Sequence, residues 1–255
     1  MIGDLPVSSS RSLYVVVGGN ASAAEHCGNR WSLHSAAATA GTDTTFTLGT
    51  TPLVPLTGDW DGNGSKSPGY FKGGVFYLSN STGATPTVDQ QFPFGDSRGF
   101  PVAGDFNGDG TDDVAVYRDG QWQLRFSTGT VQRAFRFGPG GSWPNTVPVA
   151  GDWDGDGIDG IGTYTYATGT WNLNQTADAS PVDIGPFVYW AGSATSSYPV
   201  VGDGNGDGID SVGVRSTGAS WSLNDQNDAS GAEQAFVYGN PSALPLTWRP
   251  VPSNP

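Results

Sequence analysis

The stretch PVAGDWDGDGIDG, residues 148–160, carries aspartates at alternate positions with glycines between them. Close copies occur at 101–113, PVAGDFNGDGTDD, and at 199–211, PVVGDGNGDGIDS, and a looser copy, PLTGDWDGNGSKS, lies at 55–67. The four copies start at 55, 101, 148 and 199, so they are 46 to 51 residues apart. A period of this length is typical of propellers and solenoids.

Each repeat has the pattern of four short strands. In the clearest unit, we predict strands at 101–105, 113–118, 121–126 and 133–138. The second and third strands alternate apolar and polar residues, and the Asp119-Gly120 pair between them predicts a two-residue hairpin turn. Four-stranded units that repeat around an axis are the blades of a β-propeller.

The third strand occurs five times, whereas the aspartate stretch occurs four times. The first unit lacks a first strand, and the C-terminal segment ALPLTWRP (243–250) resembles one that has no aspartate loop after it. We therefore predict an all-β, five-bladed β-propeller of four-stranded blades, closed by the C-terminal strand completing blade one. The predicted single domain covers 1–255, with blades at 12–49 plus 243–250, 53–95, 100–138, 147–190 and 198–239.

Four tryptophans occupy the same place in the third strand, namely Trp31, Trp122, Trp171 and Trp221. Because apolar residues alternate along that strand, we expect these side chains to form the core between blades rather than a binding site.

The composition limits the classes of partner. The formal net charge is −13, and 22 of the 24 acidic residues are aspartate. Nucleic acids and anionic membranes require clustered basic residues, so we expect neither, and no apolar run is long enough to insert in a membrane.

The single cysteine, Cys27, excludes an internal disulfide. The start, MIGDLPVSSS, lacks the pattern of a signal peptide. We nevertheless expect a secreted, extracellular protein, and take the sequence to be a processed or excised form.

The aspartate loops have the composition of cation sites. Carboxylates at positions one, three and five of a tight loop repel one another unless a cation lies between them, and the seventh residue of such loops commonly adds a backbone carbonyl. We predict up to four Ca²⁺ ions. The ligand sets are Asp59, Asp61, Asn63 and Ser65; Asp105, Asn107, Asp109 and Thr111; Asp152, Asp154, Asp156 and Ile158; and Asp203, Asn205, Asp207 and Ile209. The alternative is that these residues only cap turns.

The pattern D-x-D/N-G-D/N-G-x-D between two strands resembles the FG-GAP or VCBS-type repeat of integrin α-subunit propellers and of bacterial secreted proteins, over residues 12–250. The resemblance implies that each loop joins the first two strands of a blade and binds Ca²⁺, with an aspartate at position nine. Only Asp113 provides it here. Asp112, Asp159 and Asp210 lie one residue earlier and bind the ion, hold a ligating water or cap the next strand. We expect the loop at 59–67 to be the weakest site.

We expect a binding module and not an enzyme, because the chain has two histidines and no hydrolase or metalloprotease motif. A similarity to calcium-bearing propeller lectins favours a carbohydrate-binding lectin with several equivalent sites. The alternative is a protein-adhesion or structural accessory domain of a larger secreted protein. The partner is accordingly a glycan or an extracellular-matrix or cell-surface ligand, and the oligomeric state stays open.

In integrin-like propellers the calcium loops lie opposite the ligand face. The resemblance therefore points to the connectors between blades, at 95–101, 138–148 and 190–199. Exposed aromatic residues beside polar groups suit sugar rings, although each aromatic residue there has the alternative role of capping a blade. The candidates are Asp96, Arg98, Phe100, Trp143, Trp190 and Tyr198. A second possibility uses the aromatic residues at loop position two, Trp60, Phe106 and Trp153.

Overall fold

The structure is a computed structural model that describes residues 13–18, 29–34, 43–129, 132–140, 145–190, 197–216, 218–238 and 244–248. These residues form short strands joined by turns and contain no α-helix. The strands are β1 Leu13–Gly18, β2 Arg30–His34, β3 Asp43–Thr47, β4 Val54–Gly58, β5 Ser67–Lys72, β6 Val75–Leu78, β7 Gln90–Pro93, β8 Phe100–Gly104, β9 Asp113–Arg118, β10 Gln121–Arg125, β11 Gln132–Arg136, β12 Thr146–Gly151, β13 Gly160–Thr165, β14 Thr170–Asn174, β15 Ile184–Val188, β16 Ser197–Gly202, β17 Ser211–Ser216, β18 Ser220–Asn224, β19 Gln234–Val237 and β20 Leu244–Trp248.

The described strands are arranged in five antiparallel sheets of four strands each. Four sheets are each built from consecutive strands: β4 to β7, β8 to β11, β12 to β15, and β16 to β19, here named sheets two to five. Sheet one has the order β20-β1-β2-β3, so it joins the two ends of the chain. Its register places Leu13 opposite Trp248 and Val17 opposite Leu244.

The first strands of the sheets contact one another in a closed cycle. β4 lies against β8, β8 against β12, β12 against β16, β16 against β20, and β20 against β4. Strands from all the sheets therefore surround one axis, which is the arrangement of a β-propeller. The predicted all-β propeller is confirmed.

Trp31, Trp122, Trp171 and Trp221 are fully buried, as their alternation predicts. Trp122 packs in a cluster that includes Ile161 of the next sheet, so the tryptophans contribute to packing between sheets. Each indole N–H needs an acceptor once it is buried. The indole N–H of Trp122 donates to the carbonyl of Phe137 at 3.2 Å, and those of Trp171 and Trp221 donate to the carbonyls of Tyr189 and Tyr238 at 3.1 and 3.0 Å. The buried indole N–H of Trp31 has no hydrogen-bond partner among the described residues.

The hairpin predicted at Asp119-Gly120 is present between β9 and β10. Both residues have positive φ, 51° and 80°, as a two-residue turn of the primed type requires. Gly95 and Gly138, which follow the last strands of sheets two and three, also have positive φ, 78° and 79°. None of the described residues belongs to a helix long and apolar enough to cross a membrane.

Candidate functional site

The four aspartate loops each join the first and second strands of a sheet, as the sequence predicts. The first aspartate of each loop caps the turn with both carboxylate oxygens. Asp105 Oδ1 accepts the N–H groups of the third and fourth following residues, at 2.8 and 3.1 Å, and Oδ2 accepts that of the fifth at 2.7 Å. Asp152 and Asp203 make the same contacts. Asp59 holds its loop through the fourth and fifth N–H groups, at 3.0 and 2.7 Å. The caps fix the curvature of the loops.

The loop at 152–160 brings three carboxylates together. Ligand oxygens of Asp152, Asp154 and Asp156 lie within 4.8 Å of one another, and Asp154 and Asp156 are exposed to solvent. Desolvation and the charges of Asp156 and Asp152 raise the pKa of Asp154 above its ordinary value. A hard cation between the three oxygens offsets this repulsion. The arrangement caps the turn, and its three carboxylates could hold a metal ion.

The loop at 105–113 contains a buried carboxylate with an unused oxygen. Asp113 is 1% exposed, and its Oδ1 accepts the N–H of Ser127 at 2.6 Å. Its Oδ2 is buried without a hydrogen-bond partner. Burial, followed by the charges of Asp109 and Asp105, raises the pKa of Asp113 to about 7. An ionised carboxylate in such a place requires a compensating charge.

A cavity of about 40 Å³ adjoins this carboxylate. Its lining includes Asp112, Asp113, Arg125 and Ser127 together with aromatic residues. The volume suffices for water and is far below that of a small-molecule pocket. The guanidinium of Arg125 lies 3.8 Å from the centroid of the Phe92 ring. This cavity is part of the loop's surroundings and is no sugar site.

Asp112, Asp159 and Asp210 have a role that the sequence did not suggest. Each carboxylate Oδ2 accepts the backbone N–H of the first aspartate in the preceding loop, at 3.0, 2.7 and 3.2 Å in chain order. Each backbone N–H donates in return to the carbonyl of that same aspartate, at 2.8, 2.8 and 2.7 Å. These contacts clamp neighbouring sheets together. Among the predicted calcium ligands, Asp159 and Asp210 therefore have an oxygen directed at the previous loop.

Lys66 occupies the corresponding place in the loop at 59–67. Its Nζ lies 3.5 Å from Asp112 Oδ2. Burial raises the pKa of Asp159, while the charge of Lys66 opposes that shift and the charges of Asp112 and Asp210 add to it. Lys66 thus balances carboxylates that converge where the loops meet.

The residue at position seven of a loop packs against the glycine at position four of the preceding loop. A Cβ at Gly108 would lie 2.9 Å from Ile158 Cγ1, and one at Gly155 would lie 3.2 Å from Ile209 Cγ1. The positive φ of these glycines and the close contact both exclude a side chain there. Each loop is therefore shaped in part by the next one.

The proposal that loop-position-two aromatics bind ligand is wrong. Trp60, Phe106 and Trp153 are 4%, 5% and 4% exposed, respectively. The Trp60 indole N–H donates to the carbonyl of Ser67 within its own loop, at 3.1 Å. These residues turn inward and extend the core below the loops.

The candidate ligand residues of the connectors are divided between separate places. Asp96 forms an ion pair with Arg118 and accepts the N–H of Arg98, whose side chain is exposed. Phe100 is partly buried in β8. These contacts hold the connector after sheet two.

The other candidates lie after sheets three and four. Trp190 is 42% exposed and has a φ of 59°, and Tyr198 is partly buried in β16 with its ring 5.8 Å from the Arg215 guanidinium carbon. Trp143 lies outside the described residues. The described candidates therefore lie on two separate connectors, after sheet two and after sheet four.

An open groove of about 530 Å³ was not predicted. It lies between sheets three and four and is lined by Gly138, Pro139, Thr165, Thr168, Thr170, Asn172 and Val182. Gly138 and Pro139 belong to one of the three connectors that the sequence selected, but the remaining lining residues carried no motif. Comparison of Thr165 with Lys72 and Arg118, which occupy the equivalent place in sheets two and three, is the signal that would have found the groove.

Comparison with known families agrees with the loop geometry. Residues 105–163 match the FG-GAP-like repeat. This FG-GAP-like repeat contains the loops at 105–113 and 152–160, so the predicted resemblance is confirmed over these residues. No curated protein sequence matches the chain.

Several solved structures match the chain at low sequence identity. One is an Agrocybe aegerita lectin whose structure concerns specific recognition of non-reducing terminal N-acetylglucosamine. The identity is 14%, the TM-score is 0.50, and the match covers 91% of this chain and 64% of the lectin chain. The chain thus spans slightly less than two thirds of that relative. A protein of unknown function from Desulfotomaculum acetoxidans is 13% identical, with a TM-score of 0.45 and coverages of 90% and 67%. The V. cholerae biofilm matrix protein Bap1 is 12% identical, with a TM-score of 0.34 and coverages of 90% and 39%.

Proposed function

We propose that this chain is a calcium-stabilised, carbohydrate-binding propeller that works outside the cell. The observation that carries the calcium proposal is Asp113, whose buried Oδ2 has no hydrogen-bond partner beside the charges of Asp105 and Asp109. A calcium ion in the loop supplies the missing positive charge and takes oxygen ligands of this kind. The cluster of Asp152, Asp154 and Asp156 supports a second ion.

The proposed frame is a ring of five blades, one for each four-stranded sheet. Pairing of β20 with β1 and the closed cycle of contacts among the first strands support this arrangement. The aspartate loops stabilise one face of the ring, since each loop is hydrogen-bonded to the next one. Four loops provide up to four calcium sites. Modules of this type outside cells bind calcium with dissociation constants on the order of 10⁻⁴–10⁻³ M.

The proposed activity is binding without catalysis. The clustered aspartates of the described loops are engaged in turn caps and clamps between sheets, which leaves them a structural role. The propeller lectin from Agrocybe aegerita, whose recorded ligand is terminal N-acetylglucosamine, makes a saccharide the first ligand class to test. Its identity of 14% supports the fold only, so the choice of sugar is open.

Calcium titration of the Asp113→Asn chain tests the first part of the proposal. In isothermal titration calorimetry, we expect the wild-type chain to bind Ca²⁺ and Asp113→Asn to lose one binding event or to weaken it about tenfold or more. Asp119→Asn is the matched control because Asp119 lies in the β9–β10 turn, away from the loop. Equal calcium binding by the wild type and Asp113→Asn would contradict the assignment of Asp113.

A glycan array probed with the intact chain in calcium buffer tests the second part. We expect binding that free sugar competes. An array without signal, together with retention of the chain on an extracellular-matrix protein, would replace the lectin proposal with protein adhesion.

A further inference from the structure

The interfaces between adjacent sheets are here called seams. A basic side chain bridges the two sheets at two of these seams. Lys72, the last residue of β5, donates from Nζ to the carbonyl oxygen and Oγ1 of Thr50, at 2.9 and 2.8 Å. Arg118, the last residue of β9, forms the equivalent contact with Asp96. In both cases, the long side chain reaches the connector of the preceding sheet.

The seam between sheets three and four lacks this bridge. Thr165, the last residue of β13, stands where Lys72 and Arg118 stand, and Pro139 stands in the place of Thr50 and Asp96. Threonine is too short to cross the seam, and proline offers no side-chain acceptor. The seam therefore remains open as the groove of about 530 Å³.

The chemistry of the groove is neutral and rich in hydroxyl groups. Thr165 and Thr170 are opposite each other on β13 and β14, so their side chains lie on one side of the sheet. The hydroxyl oxygens of Thr168 and Thr170 lie 2.7 Å apart. The side-chain Nδ2 of Asn172 lies 3.4 Å from Thr163 Oγ1. This contact keeps the Asn172 amide beside the threonine hydroxyl groups.

Apolar groups complete the lining. Pro139 and Val182 present hydrocarbon surface, and no lining residue carries a charge. Gly138 is required at the edge, since its φ is 79° and a Cβ would lie 2.8 Å from Thr163 Cγ2. The volume is within the range of small-molecule sites, about 300–1,000 Å³.

We propose that the groove between sheets three and four is the binding site for a neutral saccharide. The threonine hydroxyls and the Asn172 amide hydrogen-bond to sugar hydroxyls, and Pro139 and Val182 contact the C–H surface of the ring. A charged ligand would find no opposite charge in the groove, and the net charge of −13 repels anions. The inference rests on the proposed carbohydrate-binding function. It assigns the ligand to one described groove rather than to several equivalent sites, because this seam lacks the bridge that Lys72 and Arg118 form at two others.

The test introduces at this seam the kind of bridge that Lys72 and Arg118 form at two others. The double variant Pro139→Asp/Thr165→Arg copies the Asp96–Arg118 pair and fills the groove without changing net charge. Thr45→Arg on the exposed outer strand of sheet one is the control. The probes are N-acetylglucosamine, galactose and mannose, with glucuronate as the anionic comparison, each titrated into the intact chain and followed by ligand-observed NMR.

We expect at least one neutral sugar to bind the wild type and Thr45→Arg equally and to bind the double variant about tenfold or more weakly. Glucuronate should not bind. If the double variant does not fold, Thr165→Val/Thr170→Val removes two hydroxyls at nearly constant shape and should give the same loss. Sugar binding that survives both pairs of substitutions would overturn the groove assignment and leave the carbohydrate function standing. A wild-type chain that binds neither these sugars nor any glycan on the array would overturn both.

Discussion

Asp112 and Asp59 are joined by two hydrogen bonds across adjacent sheets. The backbone N–H of Asp112 donates to the carbonyl of Asp59 at 2.8 Å, and Asp112 Oδ2 accepts the N–H of Asp59 at 3.0 Å. Both residues are 8% exposed. The aspartates at the same place in the next two loops repeat the contact, so one aspartate side chain joins each of the three pairs of neighbouring aspartate loops.

Removal of this clamp should destabilise the fold. In Asp112→Ala, the buried N–H of Asp59 loses its acceptor, which costs about 1–3 kcal/mol. Asp89→Ala is the control, because Asp89 accepts the N–H of Asn80 inside a single exposed loop and should cost less. Urea unfolding of the two variants gives the comparison. Equal losses of unfolding free energy in Asp112→Ala and Asp89→Ala would contradict a role of Asp112 in holding the two sheets together.

The stability of the calcium-free chain should depend on the charge state of Asp113. Its folded pKa of about 7 lies above the ordinary value, so the folded chain retains a proton that the unfolded chain releases. Stability therefore falls as pH rises from about 4 to about 7, by at most about 1.4 kcal/mol per unit for this group. The measurement is urea unfolding in chelator at pH 5 to 8.

Asp113→Asn is the comparison for that series. Because asparagine does not titrate, its stability should decline less steeply over the same range, and saturating calcium should flatten the wild-type curve. Parallel curves for wild type and variant would show that Asp113 does not retain the proton.

A methyl group at Gly95 should lower the free energy of unfolding because it would clash with a neighbouring side chain. Gly95 has a φ of 78°, and a Cβ would lie 2.5 Å from Val116 Cγ2 across the seam. Gly218→Ala is matched for backbone conformation, with a φ of 87° and no atom within 4 Å of the added carbon. We expect Gly95→Ala to lose about 1–3 kcal/mol more than Gly218→Ala. Equal losses of unfolding free energy in denaturant titrations would mean that the packing between the two sheets accommodates the added methyl group without cost.

Tryptophans of different burial should differ in their effect on stability. Trp122 is fully buried, so Trp122→Ala should cost about 3–5 kcal/mol. Trp190 is 42% exposed, and Trp190→Ala should cost about 1 kcal/mol or less. Chemical unfolding of both variants checks the order, and a reversed order would contradict the description of the core.

The local features of this fold were predictable from the sequence, whereas the contacts between repeats were not. The turn at Asp119-Gly120 and the alternation around Trp122 depend on neighbouring residues, and the structure has both. The clamp from Asp112 joins residues 53 positions apart, so local spacing gives no hint of it.

The same limit explains the mistaken proposal for Trp60. The position of an aromatic residue in a polar loop predicts that it is exposed, but the loop folds over a core to which Trp60 contributes. The groove beside Thr165 was missed because its signal is a missing bridge. That signal appears when Thr165 is compared with the equivalent residues Lys72 and Arg118, and not when one repeat is considered alone.

Thermal unfolding of the intact chain with and without calcium tests the central claim most directly. At 10 mM Ca²⁺ and dissociation constants of about 10⁻⁴–10⁻³ M, each occupied loop adds about 1–3 kcal/mol to the folded state. We predict a Tm several degrees higher in calcium than in EDTA, with a smaller effect of magnesium at the same concentration. A Tm that is the same in calcium and in EDTA, at low ionic strength, would contradict the calcium-stabilised propeller.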